Sequence, residues 1–494
     1  MTTTPTKPMH PWTRQIHIAY VPGPRDALLE TITRDLLAAF TRHGHEVQVT
    51  PDDETDVVLT TARFGEPLGW REAPLFYVRR KYGLTRQPAI YTVVHAPHEQ
   101  FHQDLSRLET VLAKEPPEPA DYDFPGLAPT AYRVLVEQGR RGGAILALQR
   151  LLQAQAKSIR VLLVVGDEHT EDIFHFDLVG GYPTSGGATL GEVYDDAVRR
   201  IVTTVSTKEV TAHEVVGETI PRTLWRKLTT PQTMATAGSE LGRRNFFTEM
   251  VRIGDLVQVP AVTEGVASQY SEGCFATWDP TLNALIATVT GSARPVDKGA
   301  ITEDDLAVIT GVRQDGTGAH VRHVEGKRND PPSSEAVEMK DMDNVLPQIE
   351  FEGTCVPIVR SKLHGHRGIA EYDAKHVEFV RLDEPYYHYL VSCATDAQAQ
   401  GIKSAFARSQ TMRDPSDPRP LAFTVLPGHG CFIAEKWIKG KAPFQVIWEF
   451  IDAGYLEFES RIPQGPMSYS EGSDGRMKLD TSLESNIGLT VSVR

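Results

Sequence analysis

One stretch limits the fold of this 494-residue chain more than any other: Arg160-Val-Leu-Leu-Val-Val-Gly166. Its apolar character runs unbroken, which suits a strand buried on both faces in the middle of a helix-covered parallel sheet. The residues before it read as strand–helix units. Residues 15–20 alternate apolar positions at Ile16, Ile18 and Tyr20, a strand pattern. Pro22, Gly23 and Pro24 form a turn. Asp26 is a good N-cap for a helix carrying Leu28, Leu29, Ile32, Leu36 and Phe40 on one face. Gly44 stands where a C-cap belongs. Val47 with Val49, residues 56–60 and residues 90–94 read as further strands. The alternation predicts a parallel sheet.

At roughly 150 residues per domain the length suggests about three units. Residues 1–14 form a leader and 15–157 an N-terminal α/β domain. The 160–166 strand opens a second α/β domain over 158–255, with helices near 188–205 and 231–250. Within the first domain a helix is expected over 131–155, after a loop or linker at 114–129 rich in proline and acid. From 256 to 494 the texture changes to short alternating segments, at 356–359, 376–382, 387–393 and Leu421–Leu426. One helix, at 444–453 and ended by Gly454, interrupts them. That pattern predicts a mixed or antiparallel β unit, with a barrel as one form. The expected class is α/β: two parallel-sheet Rossmann-like domains followed by a β-rich C-terminal domain.

The formal charge of −14 repels phosphate backbones, so nucleic acid is not an expected partner. No apolar run approaches the ~20 residues that span a bilayer, so no membrane association is expected. The first residues lack the apolar core of a signal peptide. Four cysteines (Cys274, Cys355, Cys393 and Cys431) form no CxxC pair and are expected as buried thiols in a reducing, cytoplasmic compartment. The glycine-rich segment 180–187 matches neither the P-loop nor the dinucleotide fingerprint. GxSxG and HExxH are absent.

Several polar clusters fall where chemistry is usually placed. Glu264 and Glu272 lie in a Gly/Ser-rich stretch before an expected helix at 281–289, and Asp297 follows that helix. Two carboxylates brought to one sheet end favour a divalent cation between them. Solvated loop acids, or Glu272 as a cap, explain them as well, and spacing alone favours that reading. His429 is flanked by Gly428 and Gly430 after a strand, a setting for a ligand or base, or for a turn histidine. In Ser361-Lys362-Leu363-His364-Gly365-His366, extended backbone puts His364 and His366 on one face, where two imidazoles can hold a metal. His95 and His98 follow the 90–94 strand. His169 and His175 follow the 160–166 strand, in a stretch also rich in acids. Strand ends of this kind bind ligands in α/β sheets.

Glu272, then Asn283-Ala-Leu-Ile-Ala-Thr-Val-Thr-Gly291, then Asp297, resembles the L-fucose and L-arabinose isomerase family. The resemblance extends to His429-Gly-Cys-Phe-Ile433 with the helix and strand after it. It implies a metal-dependent aldose–ketose isomerase working through an enediolate. The ion, Mn²⁺ by expectation, would be held by Glu272, Asp297 and His429. Glu272 or Asp297 would act as the proton carrier on a small sugar, while His364 and His366, in the same expected β unit, are reserve ligands and, with Lys362, substrate-binding candidates. It also implies a cytoplasmic homo-oligomer, to which Phe246 and Phe247 would contribute exposed aromatics. This chain has Ser271-Glu272-Gly273-Cys274 where the family usually carries its acid in an EAD or ESD context. The alternative is a two-lobed α/β protein of another activity, binding a small polar ligand near His95, His98, His169 and His175.

Overall fold

The structure, a computed structural model, describes residues 14–24, 27–69, 71–112, 148, 151–153, 155–158, 160–166, 171–176, 181–183, 190–208, 210–244, 246–247, 273–290, 297–388, 394–426, 429–459 and 467–480. It is a mixed α/β structure with a β-rich C-terminal region.

The first sheet has seven strands: β1 (His17–Tyr20), β2 (Glu46–Gln48), β3 (Val57–Arg63), β4 (Ala89–Ala96), β5 (Arg160–Gly166), β6 (Glu171–Phe176) and β7 (Gly181–Pro183). Their order is β2-β1-β3-β4-β5-β6-β7. The first five are parallel, β6 pairs antiparallel with β5, and β7 pairs antiparallel with β6. The reason for the apolar run at 160–166 is now visible: β5 lies between β4 and β6 and is buried along its length. Helix α1 (Ala27–Arg42) turns Leu29, Ile32, Leu36 and Phe40 to the sheet, as the spacing predicts. Gly44 takes a φ of 81°, as expected for a left-handed cap. Helix α2 (Pro74–Tyr82) packs Val78 beside Val21, Val58 and Ile90 in a separate apolar cluster. Helices α3 (His98–Leu112) and α4 (Leu190–Ser206) complete this unit.

The expected break near 157 falls inside this sheet, because β5 pairs with β4 from Tyr91↔Arg160 onward. A strand apolar on both faces needs a neighbour on each side, and the earlier strands supply one. The expected break near 255 also moves. One core collects residues from Ile16 to Val202, while two others begin at Val210 and Ile220. The 131–155 helix lies mostly outside the described residues, as do 1–13, Asp26, His169 and Cys393.

The second sheet has nine strands in the order β17-β18-β19-β15-β9-β10-β11-β12-β8. They are β8 (Glu214–Val215), β9 (Cys274–Asp279), β10 (Ala284–Thr288), β11 (Leu306–Val312), β12 (Ala319–Arg322), β15 (Val359–Gly365), β17 (Val377–Phe379), β18 (Leu421–Leu426) and β19 (Gly430–Lys436). β13 (Gln348–Phe351) and β14 (Thr354–Pro357) form a separate hairpin, and β16 (Ile369–Tyr372) joins β20 (Leu456–Phe458), β21 (Tyr469–Glu471) and β22 (Met477–Leu479) in a small sheet. The large sheet is antiparallel except at β8/β12 and β17/β18, and among the described residues its end strands β17 and β8 do not pair with each other. Helix α5 (Arg222–Trp225) and helix α6 (Thr230–Arg243) contribute to one face. Helix α7 (Ser334–Met342) and helix α9 (Asp396–Phe406) cover the other. Short helices α8 (Glu384–His388) and α10 (Gln410–Arg413) and the terminal α11 (Gln445–Asp452) complete the unit.

Two expectations fail here for stated reasons. The 281–289 helix is strand β10, all five of whose residues are buried between β9 and β11. The 387–393 strand begins instead in helix α8. Phe246 is also not an exposed aromatic: it is 2% accessible, packed edge-on to Phe458 and against Gly365.

Candidate metal centre

Strand period places the site. β15 and β19 are antiparallel neighbours, with His364 opposite Phe432 and Gly365 opposite Cys431. The chain leaves β18 at Leu426 and returns as β19 at Gly430, so His429 occupies the turn beside the end of β15. Backbones approach closely there. A Cβ on Gly430 would lie 2.0 Å from the Gly365 carbonyl oxygen and 2.6 Å from the His366 Cα, and Gly430 takes a φ of 139°. Only glycine meets both conditions.

The result is a buried group of three imidazoles, His364, His366 and His429, each offering a ligand atom within 4.8 Å of the others. Ring centroids are 4.6 Å apart for His364–His429 and 4.8 Å for His366–His429. A tetrahedral ion with bonds of about 2.0–2.1 Å needs donor atoms roughly 3.3 Å apart, inside the 4.8 Å within which these atoms lie.

The surroundings select the tautomers. His364 Nδ1 lies 3.0 Å from the Cys431 carbonyl oxygen. A carbonyl only accepts, so Nδ1 carries the hydrogen and Nε2 is left as the ligand nitrogen. His364 also stacks on Phe432, which holds the ring plane. His429 Nδ1 meets the Gln398 side-chain amide at 2.6 Å. Gln398 Oε1 accepts the Ala394 backbone N–H at 2.9 Å, so its Nε2–H donates to His429 Nδ1 and the hydrogen of the neutral ring stands on Nε2; an ion held there would displace that hydrogen. His429 Nε2 is buried and has no hydrogen-bond partner among the described residues. Burial, then the neighbouring His364 and His366, hold the His429 pKa well below the ordinary value. The ring is therefore neutral at physiological pH, as metal ligation requires.

Two carboxylates act on Cys274, the cross-strand neighbour of His364. Cys274 is paired with His364 across β9 and β15, and its thiol pKa is pushed well up, first by burial and then by the Glu335 charge. Glu335 and Glu338 lie on α7, one turn apart. Glu335 is half-buried. Glu338 is fully buried with neither oxygen hydrogen-bonded among the described residues, and burial pushes its pKa well up.

The expected site residues divide clearly. His429, His364 and His366 converge. Asp297 is not in that group: its carboxylate accepts the Gly299 backbone N–H at 2.9 Å and caps a short helix. Glu272 and Glu264 lie outside the described residues. Lys362, buried two residues before His364, is bound to Asp343 at 2.5 Å. In the first sheet, His175 is a core residue against Tyr91, its pKa lowered to about 3 first by burial. His95 Nε2 meets the Gly166 carbonyl at 3.1 Å, and His98 meets His102 at 3.2 Å. Cys355 is exposed, not buried. Sequence reading missed Gln398, Glu335 and Glu338. The 331–338 run Pro-Pro-Ser-Ser-Glu-Ala-Val-Glu did carry a helix-start signal in its proline, serine and acid content.

No protein-family profile matches the chain, and a search of curated proteins finds no match. Among the described residues no helix is long and apolar enough to cross a membrane.

Proposed function

We propose that this chain is a divalent-metal enzyme acting on a small hydroxy-carbonyl compound of the sugar class. The observation that carries the reading is the buried His364–His366–His429 group, with the Cys431 carbonyl setting the His364 tautomer. Three protein ligands leave a coordination position for substrate, the pattern of a catalytic site. Three imidazole nitrogens suit Zn²⁺ best. Mn²⁺, expected when oxygen donors led the ligand set, would need further carboxylate or water ligands.

The chemistry follows from the donor set. The ion would grip the carbonyl and the adjacent hydroxyl oxygen and favour negative charge building on them. A carboxylate would take the proton from the hydroxyl-bearing carbon, and the electron pair would move into an enediolate. Glu335, which acts on Cys274 beside His364 and is half-buried where Glu338 is sealed, is the candidate acid for this role. Returning the proton to the neighbouring carbon gives aldose–ketose isomerisation. An enediolate released by breaking the next carbon–carbon bond gives aldol cleavage instead.

Two measurements test the reading. Metal analysis of the purified chain should find about one Zn²⁺ per chain, lost in His364→Ala/His366→Ala. NMR in D₂O should then show exchange of the hydrogen next to the carbonyl in a panel of short ketoses and aldoses, abolished in the same variant. Product analysis separates isomerisation from cleavage. A chain that binds no divalent ion, or retains its metal in the double variant, sinks the proposal.

A further inference from the structure

A second site follows from topology alone and does not depend on the metal centre. In the first sheet the chain goes from β1 to β2 on one side, then to β3 on the other side of β1. This is the point where a doubly wound sheet reverses direction. Loops leaving the carboxyl ends of the two strands there diverge to opposite faces and leave a crevice. Helix α1 packs on one face and α2 on the other, which is the arrangement that opens it.

The crevice is present. A cavity of about 920 Å³ lies between the loop after β1, at Pro22, Gly23 and Pro24, and the loop after β3, continuing onto α2. Small-molecule sites are roughly 300–1,000 Å³. Its floor is built with close tolerance: a Cβ on Gly23 would sit 2.0 Å from the Thr61 carbonyl oxygen. Its walls are basic. Arg63, Arg71, Arg80 and Lys81 line it, against the two carboxylates Glu66 and Glu72. Glu66 is already met by Arg63 at 3.5 Å, and Glu72 accepts the Gly69 backbone N–H at 2.8 Å. A concentration of cations in a chain of formal charge −14 is not a by-product of composition. All four basic side chains belong to exposed residues, Lys81 lies over the Tyr77 and Tyr82 rings, and Tyr77 adds a half-buried aromatic wall.

We propose that this crevice binds a small phosphorylated molecule, its phosphate held by Arg63, Arg71, Arg80 and Lys81. Guanidinium groups match phosphate oxygens in pairs, and the ammonium adds a point charge. The Pro-Gly-Pro loop lacks the glycine-rich turn of dinucleotide sites, so side chains and not backbone N–H groups supply the donors.

Calorimetric titration of the full chain with pyrophosphate tests this, at about 25 mM NaCl to limit screening. Binding with a Kd of about 1 mM or tighter is expected. Arg80→Ala/Lys81→Ala should weaken it roughly tenfold or more. Arg34→Ala, on the exposed face of α1, should leave it unchanged. Ribose 5-phosphate and AMP, titrated in turn, show whether a sugar or a nucleoside carries the phosphate. Because phosphate also binds metal ions, the titration is repeated with His364→Ala/His366→Ala, where affinity should be retained. No binding, binding indifferent to Arg80→Ala/Lys81→Ala, or binding lost with the histidines would each overturn the proposal.

Discussion

Lys362→Met is the most informative single change near the candidate site. Lys362 Nζ donates to Asp343 Oδ1 at 2.5 Å, and the side chains are 0% and 2% accessible. Burial lowers the Lys362 pKa, and the Asp343 charge partly restores it. Methionine preserves the length of the chain and removes the charge, leaving the Asp343 carboxylate in the interior. Breaking one side of such a pair costs about 3–5 kcal/mol. Lys340 Nζ remains 3.7 Å from Asp343 Oδ2, so the lower end, about 3 kcal/mol, is expected. Adding Asp343→Asn removes the second charge and should return the protein to within about 1 kcal/mol of the parent. Urea unfolding followed by tryptophan fluorescence reads this out, because Trp225, Trp278, Trp437 and Trp448 all pack on the cores of the second sheet. A single variant costing less than about 1 kcal/mol, or a double variant no more stable than the single, would refute the charge-balance argument.

Gly430→Ala should abolish metal binding and destabilise the second sheet, because the new Cβ meets two backbone atoms that cannot yield; metal content and near-UV circular dichroism would show it, and normal metal loading would contradict the close approach. His175 makes acid stability testable. Its folded pKa is lowered to about 3, so below its ordinary value of 6.5 the unfolded chain takes up the proton first, and stability falls as pH drops. Between about pH 7.5 and about pH 5 this group should account for roughly 2 kcal/mol of loss. His175→Gln should reduce the loss by that amount in paired urea titrations, and an unchanged pH slope would show that His175 is not buried neutral.

Sequence legibility followed local physics. β5 and β18 were readable residue for residue, since long apolar runs bounded by turn residues have few other uses. The nearness of His364 and His366 followed from the two-residue period of a strand, with His366 one residue past the end of β15. β10 was misread because Ala-Leu-Ile-Ala-Thr is buried on both sides, and short buried runs look alike in helix and strand. Asn283, at a φ of 48°, was the missed turn signal just before it. The position of β5 beside β4 was not legible, because strand order depends on long-range packing that no local pattern records. Gln398 was invisible for the same reason: its partner lies 31 residues away on another element.

The pairing of β15 with β19 sets His364 opposite Phe432. Side chains alternate faces along a strand, so a slip of one residue would turn His364 away from His429. A bound ion would then tolerate a single alignment of the two strands. Metal uptake during refolding would thus act as a proofreading step, rewarding chains that have aligned correctly and leaving misaligned ones to open and try again.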